Sequence, residues 1–387
     1  MKGLKWAQLA LAVTVVLAGC KGFWDAPSDS GGGGSSSGVF YVMNQGTQEV
    51  AGFSFASGSS TPTAITSGTA SLATTPTAIA IAPNGGYLYV SAGGIFVYSI
   101  SSSGALTLLN SNQAISSDQP TAMAVDGSGT WLLESISGSG VLSAIPISTS
   151  TGLLDSTRSV QTAHLPNVIL TQIAVSPANS TYSYVFVGMG AGGTQFIPFT
   201  ANATASPFGT SGNIKVIHSA GADIAVAVDP ANLLLYVGES VAVSGTQTGG
   251  LRVFTIGSNT MTEVSGSPYP SGGTGPSSIL ATANFVYVAN KAVSGNGTVG
   301  NISGYPIVST AGVYSLGTLI NTINAGNGTV GLAEDSTGKY VLAVNGGGSP
   351  DLSTFTFDTT TQGKLVAGAT IATGTDPVVA TEIVAVP

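Results

Sequence analysis

Charged residues are scarce in this sequence, and positive charges are the scarcest. Only 7% of the 387 residues are charged, with nine Lys and Arg against 17 Asp and Glu, which gives a net charge of −8. Proteins that bind nucleic acid use clusters of Lys and Arg to neutralise phosphates. No basic stripe is present here, so we expect no nucleic-acid partner and poor binding of phosphate-rich ligands. The acidic balance indicates mainly solubility.

Cysteine and histidine are also nearly absent. Cys20 is the single cysteine, so no intramolecular disulfide can form. The two histidines, His164 and His218, are too few for an ordinary zinc site without a second thiol. We therefore predict no resident cofactor, although Glu and Asn side chains keep a divalent cation open as an alternative.

Glycine and apolar residues are abundant. The chain has 54 glycines and is 43% hydrophobic, so it can bury a large core and is not disordered. Helix-forming Glu, Lys and Arg are few, whereas Ser, Thr, Gly, Val and Ile dominate. That composition favours short strands joined by tight turns.

The first twenty residues read as a targeting signal. MKGLKWAQLALAVTVVLAGC has a basic start, an apolar run too short to span a bilayer comfortably, and a small-residue ending. LAGC resembles the lipobox of bacterial lipoproteins, which implies cleavage before Cys20 and acylation of its thiol. A short buried helix or a transmembrane anchor is the competing interpretation.

The resemblance implies a lipid-anchored, extracytoplasmic protein. We assign residues 1–19 to the signal peptide and residues 20–38 to the lipidated cysteine with a flexible Gly/Ser-rich tether. Acyl chains on Cys20 would make the lipid bilayer a partner of the protein. Lys21 follows the cysteine where an inner-membrane lipoprotein would carry Asp, so the outer membrane is favoured.

One pattern of alternating apolar and polar residues recurs seven times. Its copies begin 44 to 53 residues apart and read PTAIAIAP from Pro76, PTAMAVDG from Pro120, LTQIAVSP from Leu170, DIAVAVDP from Asp223, PSSILATA from Pro276, TVGLAEDS from Thr329 and PVVATEIV from Pro377. A second alternating segment follows each of the first six copies, after a turn. Period-2 alternation is typical of half-buried antiparallel strands.

These repeats predict an all-β, seven-bladed β-propeller over residues 39–387. About 50 residues per four-stranded unit fits a propeller blade, and a two-sheet sandwich is the alternative. VFYVMN at Val39 matches a second strand, whereas the last repeat has no second strand after it. We therefore expect the C-terminal strand to complete the first blade and close the ring.

The sequences of the predicted strands resemble those of a known family. YVMN at Tyr41, YVAN at Tyr287 and the Asp-Pro…Tyr-Val pattern around Asp229 are similar to lactonase-like, YVTN-repeat seven-bladed propellers, a group that includes 6-phosphogluconolactonase-type proteins. The resemblance implies the fold over residues 39–387 and a lactonase activity. Its motif residues build blades, so they carry little information about the activity.

A ring of positions at the ends of the second strands is the candidate ligand site. The aligned residues are Asn44, Ala92, Ile136, Met189, Glu239, Asn290 and Asn345, with Lys291 next to Asn290. The polar members belong to neighbouring blades, as expected if polar groups orient a ligand against an apolar wall. Two alternatives stay open: the Asn side chains cap turns, and Glu239 and Lys291 form an ion pair between blades.

Other candidates are more isolated. They are Glu134, which either faces solvent or is a buried carboxylate, together with Asp118, Arg158, His164, His218, Asp223 and Asp376. A His and a carboxylate near the channel could act as general acid and base. The long loops after Glu239 and Asn290 are further candidates, because function often lies in loops on a rigid scaffold.

Two functions follow from these residues. The first is a membrane-anchored module that binds a small molecule, a glycan or an envelope protein. The alternative is a carboxylic ester hydrolase that opens an uncharged lactone, with Glu239 as base and Asn290, Asn345 and Lys291 as donors. A metal-dependent lactonase would need a hard cation at Glu239 and the three Asn residues.

Overall fold

The computed structural model shows a protein built from strands. It describes residues 37–109, 119–136, 138–166, 170–178, 180–203, 206–214, 221–241, 249–293, 297–371 and 380–387. These residues form 31 strands in seven antiparallel sheets, each with a core of four strands in succession. The seven-bladed propeller expected from the repeats is confirmed.

Blades 1 to 4 come first in the chain. Blade 1 contains β1 (Ser37–Asn44), β2 (Glu49–Phe55), β3 (Pro62–Ala64) and β4 (Ala70–Ser71). Blade 2 contains β5 (Ala78–Ile81), β6 (Tyr87–Ser91), β7 (Ile95–Ile100) and β8 (Leu106–Leu108). Blade 3 contains β9 (Ala122–Val125), β10 (Trp131–Ile136), β11 (Val141–Pro146) and β12 (Gln161–His164). Blade 4 contains β13 (Gln172–Val175), β14 (Tyr184–Gly188), β15 (Thr194–Pro198) and β16 (Gly212–Ile214).

Blades 5 to 7 and the closing strand complete it. Blade 5 contains β17 (Asp223–Val228), β18 (Leu234–Glu239), β19 (Gly250–Gly257), β20 (Thr260–Glu263) and β21 (Tyr269–Pro270). Blade 6 contains β22 (Thr274–Ala281), β23 (Phe285–Ala292), β24 (Val299–Thr310), β25 (Val313–Leu316) and β26 (Asn321–Asn327). Blade 7 contains β27 (Thr329–Glu334), β28 (Tyr340–Asn345), β29 (Leu352–Phe357) and β30 (Leu365–Ile371). The last strand is β31 (Ala380–Ala385).

The C-terminal strand closes the ring as predicted. β31 pairs antiparallel with β1, so it is the innermost strand of blade 1. Its pairing register is shifted by three residues from an alignment that starts at Pro377, because Glu382 pairs with Met43 as Ala78 pairs with Ser91. Thr381 and Glu382 therefore occupy the places that Thr77 and Ala78 hold in blade 2. This register brings Glu382 to the central channel.

The hydrophobic core lies between the blades. Seven clusters of buried side chains are present, one for each junction between neighbouring blades. The second strands supply much of each cluster because alternate residues point to opposite faces of a sheet. In blade 4, Val185 packs toward blade 3 while Phe186 packs toward blade 5. The repeated alternation in the sequence therefore builds a core on both faces of a blade.

Aromatic side chains of the second strands link one blade to the next. At six of the seven junctions, a Tyr hydroxyl or Trp N–H donates to a backbone carbonyl of the following blade. The pairs are Tyr41 with Gly104, Tyr89 with Gly152, Trp131 with Ala201, Tyr184 with Gly257, Tyr287 with Gly363, and Tyr340 with Ser59. Each such bond is worth about 1 kcal/mol net. These hydrogen bonds give the tyrosines of the repeated second strands a structural role.

Gly363 shows why a glycine accepts one of these bonds. Its φ is +73°, and a Cβ there would lie 2.3 Å from the ring of Phe285. An L side chain at this turn would therefore be strained and would also displace the ring. The carbonyl of Gly363 can then meet the Tyr287 hydroxyl at 2.8 Å.

Aspartates hold the turns between the first and second strands. Asp229, in the Asp-Pro segment of the sequence, accepts backbone N–H groups of Ala231, Leu233 and Leu234. Asp126 and Asp335 do the same in blades 3 and 7. These motif residues build blades, as the resemblance implied.

Over the described ranges, no helix has the length and apolar character needed to cross a membrane.

Candidate functional site at the start of the inner strands

A cavity of about 350 Å³ opens where the inner strands of all seven blades begin. One residue per blade forms its rim, and five of these carry a hydroxyl group. The rim residues are Thr77, Thr121, Thr171, Ile224, Ser277, Val330 and Thr381. Because each lies at the equivalent position near the start of the inner strand of its blade, the repeat itself places these hydroxyls in a ring.

Most rim hydroxyls are occupied in joining neighbouring blades. Thr77 donates to the carbonyl of Pro120 at 2.7 Å, and Ser277 donates to the carbonyl of Thr329 at 2.6 Å. Both acceptors belong to the next blade. Such hydroxyls can still accept a hydrogen bond from a ligand but have no proton left to donate.

The junction between blades 1 and 2 departs from this pattern. There, the side-chain amide of Gln45 donates to the Pro76 carbonyl at 3.0 Å and takes the place of the rim hydroxyl. The hydroxyl of Thr381 is buried and, within the described part of the chain, has no hydrogen-bond partner. Thr381 therefore has a hydroxyl donor that no described group uses, in the buried wall of the cavity.

Glu382 follows Thr381 and contributes a carboxyl group to the cavity. Its Oε2 accepts the backbone N–H of Ile79, in blade 2, at 2.9 Å. Burial raises the pKa of Glu382 to about 8, although the hydrogen bond from Ile79 opposes the shift. A carboxyl group with such a pKa can exchange a proton near neutral pH.

Other blades have a neutral hydrogen-bond acceptor at the position of Glu382. Gln172 accepts the N–H of Val226 at 2.9 Å, and Ser278 accepts that of Leu332 at 3.1 Å. All three acceptors sit one residue after the rim and bind the neighbouring inner strand. Glu382 alone among the three can ionise, so the same hydrogen bond here orients a proton-transfer group.

Lys291 is the cationic group of the cavity lining. It lies on β23 of blade 6 and is exposed, and Gln45 adds an amide to the same lining. Met43, Met123 and Ile173 provide apolar wall. Of the residues predicted as a site, Lys291 is the one that the structure places in this lining.

The three predicted asparagines are buried in their blades. Asn44, Asn290 and Asn345 each have no exposed surface. Asn290 donates to the Ser271 carbonyl at 2.8 Å, and Asn345 donates to the Pro350 carbonyl at 2.9 Å. They lie on second strands, one strand farther from the channel than the rim residues. Asn345 bonds the loop that follows its own strand, as the turn-capping alternative expects, whereas Asn290 bonds the segment before β22.

Glu239 forms an ion pair with a different partner from the one considered. Its Oε2 lies 2.7 Å from Nε of Arg252, whose Nη1 lies 2.6 Å from Glu263. Lys291 of the next blade was the expected partner. Arg252 is opposite Val237 in the ladder, so Glu239 is its diagonal neighbour on the same sheet face. Glu239 has no exposed surface.

Asp223 extends this buried charged cluster. It faces Glu239 in the ladder and accepts the Thr194 hydroxyl at 2.8 Å. Burial raises the pKa of Asp223 to about 7, and the nearby Glu239 adds to the shift. The cluster lies between blades 4 and 5 and contains three acidic residues, Asp223, Glu239 and Glu263.

The remaining candidates lie apart from the cavity or outside the described residues. Glu134 is buried within β10, and His164 is exposed on the outer strand of blade 3. Arg158 stacks over the Trp131 ring, 4.4 Å from its centroid. Cys20, Asp118, His218, Asp376 and parts of both long loops lie outside the described residues. Among the residues that are described, no group of three His, Cys, Asp or Glu converges as a metal site.

The comparison with family models points to one family. The family described as lactonase, 7-bladed beta-propeller, matches residues 34–171, which is about a third of the chain. The match runs over blades 1 to 3 and reaches the first rim residue of blade 4. No curated protein matches the sequence significantly.

Solved structures resemble the chain over almost its whole length. A candidate 6-phosphogluconolactonase from Bacteroides fragilis has a TM-score of 0.68 at 15% identity, covering 91% of this chain and 98% of that one. The periplasmic gluconolactonase PpgL of Pseudomonas aeruginosa has a TM-score of 0.67 at 16% identity, covering 91% and 99%. Likeness at such low identity shows the fold alone. Together with the family match and the seven blades, it confirms that the chain is a lactonase-like seven-bladed β-propeller.

Proposed function

We propose that this protein hydrolyses lactones in the central cavity, with Glu382 as the proton-transfer group. The observation that carries the proposal is a carboxyl group with a pKa of about 8 at the cavity, oriented by the N–H of Ile79. General acids and bases work best when their pKa lies near the working pH. The lactonase family match and the named neighbours support a hydrolase over a pure binding module.

The reaction needs three tasks, and the cavity offers a group for each. Ionised Glu382 takes a proton from a water molecule as its oxygen attacks the lactone carbonyl. The ammonium of Lys291, which is exposed, stabilises the negative charge that develops on the carbonyl oxygen. When the acyl C–O bond breaks, Glu382 returns the proton to the ring oxygen. The product is a hydroxy acid, which releases its carboxyl proton to solvent.

The charge of the cavity favours a substrate without a phosphate group. Lys291 is the sole Lys or Arg in the described lining, and phosphate recognition ordinarily uses several such groups. Gln45, Gln172 and the rim hydroxyls match the hydroxyl groups of a polyol lactone. The substrate is therefore an uncharged, hydroxyl-bearing lactone.

The anchor would orient the cavity away from the membrane. The propeller begins at Ser37, and β1 runs from the face opposite the cavity toward the cavity face. A tether from lipidated Cys20 would therefore join the face opposite the cavity. Cys20→Ser should move the protein from the membrane fraction to the soluble fraction, and unchanged fractionation would contradict the anchor.

The test is proton release at constant pH with the full chain. Glucono-1,5-lactone, its 6-phosphate and γ-butyrolactone would be compared with and without calcium. Wild type should accelerate hydrolysis of glucono-1,5-lactone, and Glu382→Gln should lower the enzymatic rate by about 10²–10⁴-fold. Gln can still accept the Ile79 N–H. Glu334→Gln is the matched control, because burial also raises the pKa of Glu334, to about 7, at the other end of an inner strand.

Two results would overturn the proposal. One is turnover that survives Glu382→Gln but is lost in Glu239→Gln, which would return the chemistry to the residue favoured by sequence. The other is no acceleration of any lactone by wild type. A requirement for calcium would instead favour the metal-dependent alternative.

A further inference from the structure

A second, larger pocket lies on the face opposite the central cavity. It has a volume of about 690 Å³ and spans the loops of blades 3, 4 and 5. Strand β13 connects the two sites, because its first residues line the cavity whereas Val175, at its other end, lines the pocket. We call the larger pocket the distal groove. Its volume falls within the range of about 300–1,000 Å³ that is usual for ligand sites.

The floor of the distal groove is held by hydrogen bonds between blades. Trp131 Nε1 donates to the Ala201 carbonyl at 2.7 Å, which joins blades 3 and 4. The Tyr184 hydroxyl donates to the Gly257 carbonyl at 2.8 Å and accepts the Asn259 N–H at 2.7 Å, which joins blades 4 and 5. Ala201 and Asn259 of the groove are thus held in place before a ligand arrives, so binding loses less entropy.

The described lining of the distal groove offers no free charge to a ligand. Asp126 is its one carboxylate, and no Lys, Arg or His lies among these residues. Both oxygens of Asp126 are already occupied: one accepts the N–H groups of Thr130 and Trp131, and the other accepts that of Ser128. A charged ligand would lose its hydration here without gaining an ion pair.

The groove does offer exposed neutral polar groups and one exposed aromatic ring. Thr181, Asn202 and Asn259 are exposed, and hydroxyl and amide groups both donate and accept hydrogen bonds. Tyr182 is 39% exposed. Its backbone carbonyl accepts the Asn232 side-chain amide at 2.6 Å, which fixes the residue in place. An aromatic ring beside hydroxyl and amide groups suits a ligand that has both apolar and polar faces.

We propose that the distal groove binds an uncharged oligosaccharide. A sugar ring has hydroxyl groups at its edge for Thr and Asn side chains, and an apolar C–H face for the Tyr182 ring. A neighbouring pocket of about 310 Å³ shares Gly127 and Ser128 with the groove and extends it to blade 2. This length favours several linked sugars over a single one. The site is separate from the cavity and does not depend on lactone hydrolysis.

Affinity gel electrophoresis of the full chain would test the proposal. The gels would contain laminarin, dextran or hydroxyethylcellulose as neutral polymers, and chondroitin sulfate as the charged comparison. We expect at least one neutral polymer to retard wild type more than chondroitin sulfate does. Tyr182→Ala should weaken that binding about tenfold, whereas Tyr182→Phe should retain it. Val313→Ala alters an exposed apolar residue of blade 6 and should bind as wild type.

Thermal unfolding of each variant would show that Tyr182→Ala remains folded, which its exposure favours. Three outcomes would overturn the proposal. No neutral polymer retards wild type, Tyr182→Ala is retarded as strongly as wild type, or chondroitin sulfate is bound most tightly.

Discussion

The start of the inner strands and the end of the second strands carry polar residues for different reasons. Glu382 and Thr381 lie in the first ring and line the open cavity. Asn345 and Glu239 lie in the second ring, with no exposed surface, and bind groups of their own blades. Residues on the inner strands can contact a ligand, whereas these residues, one strand farther from the channel, stabilise the blade. The comparison predicts that the first ring governs turnover and the second governs stability.

The largest expected effect comes from Arg252→Met. Arg252 is 4% exposed and its loss leaves Glu239 buried without its counter-ion. Breaking a buried ion pair in this way costs about 3–5 kcal/mol of the free energy of unfolding. Urea denaturation would measure the loss.

Arg252→Lys is the matched control for charge. Lysine keeps the positive charge but cannot reach Glu239 and Glu263 with two separate nitrogens, so it should lose less stability than methionine. A loss below about 1 kcal/mol for Arg252→Met would show that the second ring is not needed for stability.

The sequence predicts the fold better than the site because the patterns that determine the fold are local and occur in every repeat. Alternation and turn residues in seven copies were enough to predict seven blades and the closing strand. The ring at the ends of the second strands was visible in the same way. Whether Asn345 or Glu382 faces the cavity depends on strand depth and on the exact register of β31, which no local pattern determines.

Two contacts at the site could not be predicted from the sequence for a further reason. Gln45 replaces the Thr381 hydroxyl at the Pro76 carbonyl, and Glu382 accepts the N–H of Ile79. The first contact joins loops of two consecutive blades, and the second joins segments that come together only when the ring closes. The ion pair of Glu239 with Arg252 depends on the ladder register of β18 and β19. The available signal for Glu382 was its equivalence to Gln172 and Ser278 in the repeated first strands.

A smaller effect is expected for Asn345→Ala. The Asn345 amide donates to the Pro350 carbonyl and the Ser353 hydroxyl, and its Oδ1 accepts the Thr329 hydroxyl. Removing it leaves buried partners unpaired, which costs about 1–3 kcal/mol. Ser353→Ala removes one of these bonds and should cost less. Loss of lactone turnover at unchanged stability would assign Asn345 to the chemistry instead.

The smallest effect concerns the pH dependence of stability at Asp223, the inner-strand residue that pairs with Glu239 of the second ring. Burial raises the pKa of Asp223 to about 7 in the folded protein, from its ordinary value of 3.8. Between these values the folded state holds a proton that the unfolded state has lost, so stability falls as the pH rises. One such group contributes a slope of at most about 1.4 kcal/mol per pH unit.

Asp223→Asn should remove this part of the slope. The amide oxygen of Asn can still accept the Thr194 hydroxyl, so the packing is retained. Urea denaturation of wild type and variant at pH 5, 6, 7 and 8 would show the variant gaining relative stability as the pH rises. Glu334 and Glu382, which have pKa values raised to about 7 and 8, should keep a residual slope in both proteins. Parallel profiles would mean that Asp223 does not hold a proton, and that its neighbour Arg252 balances both Asp223 and Glu239.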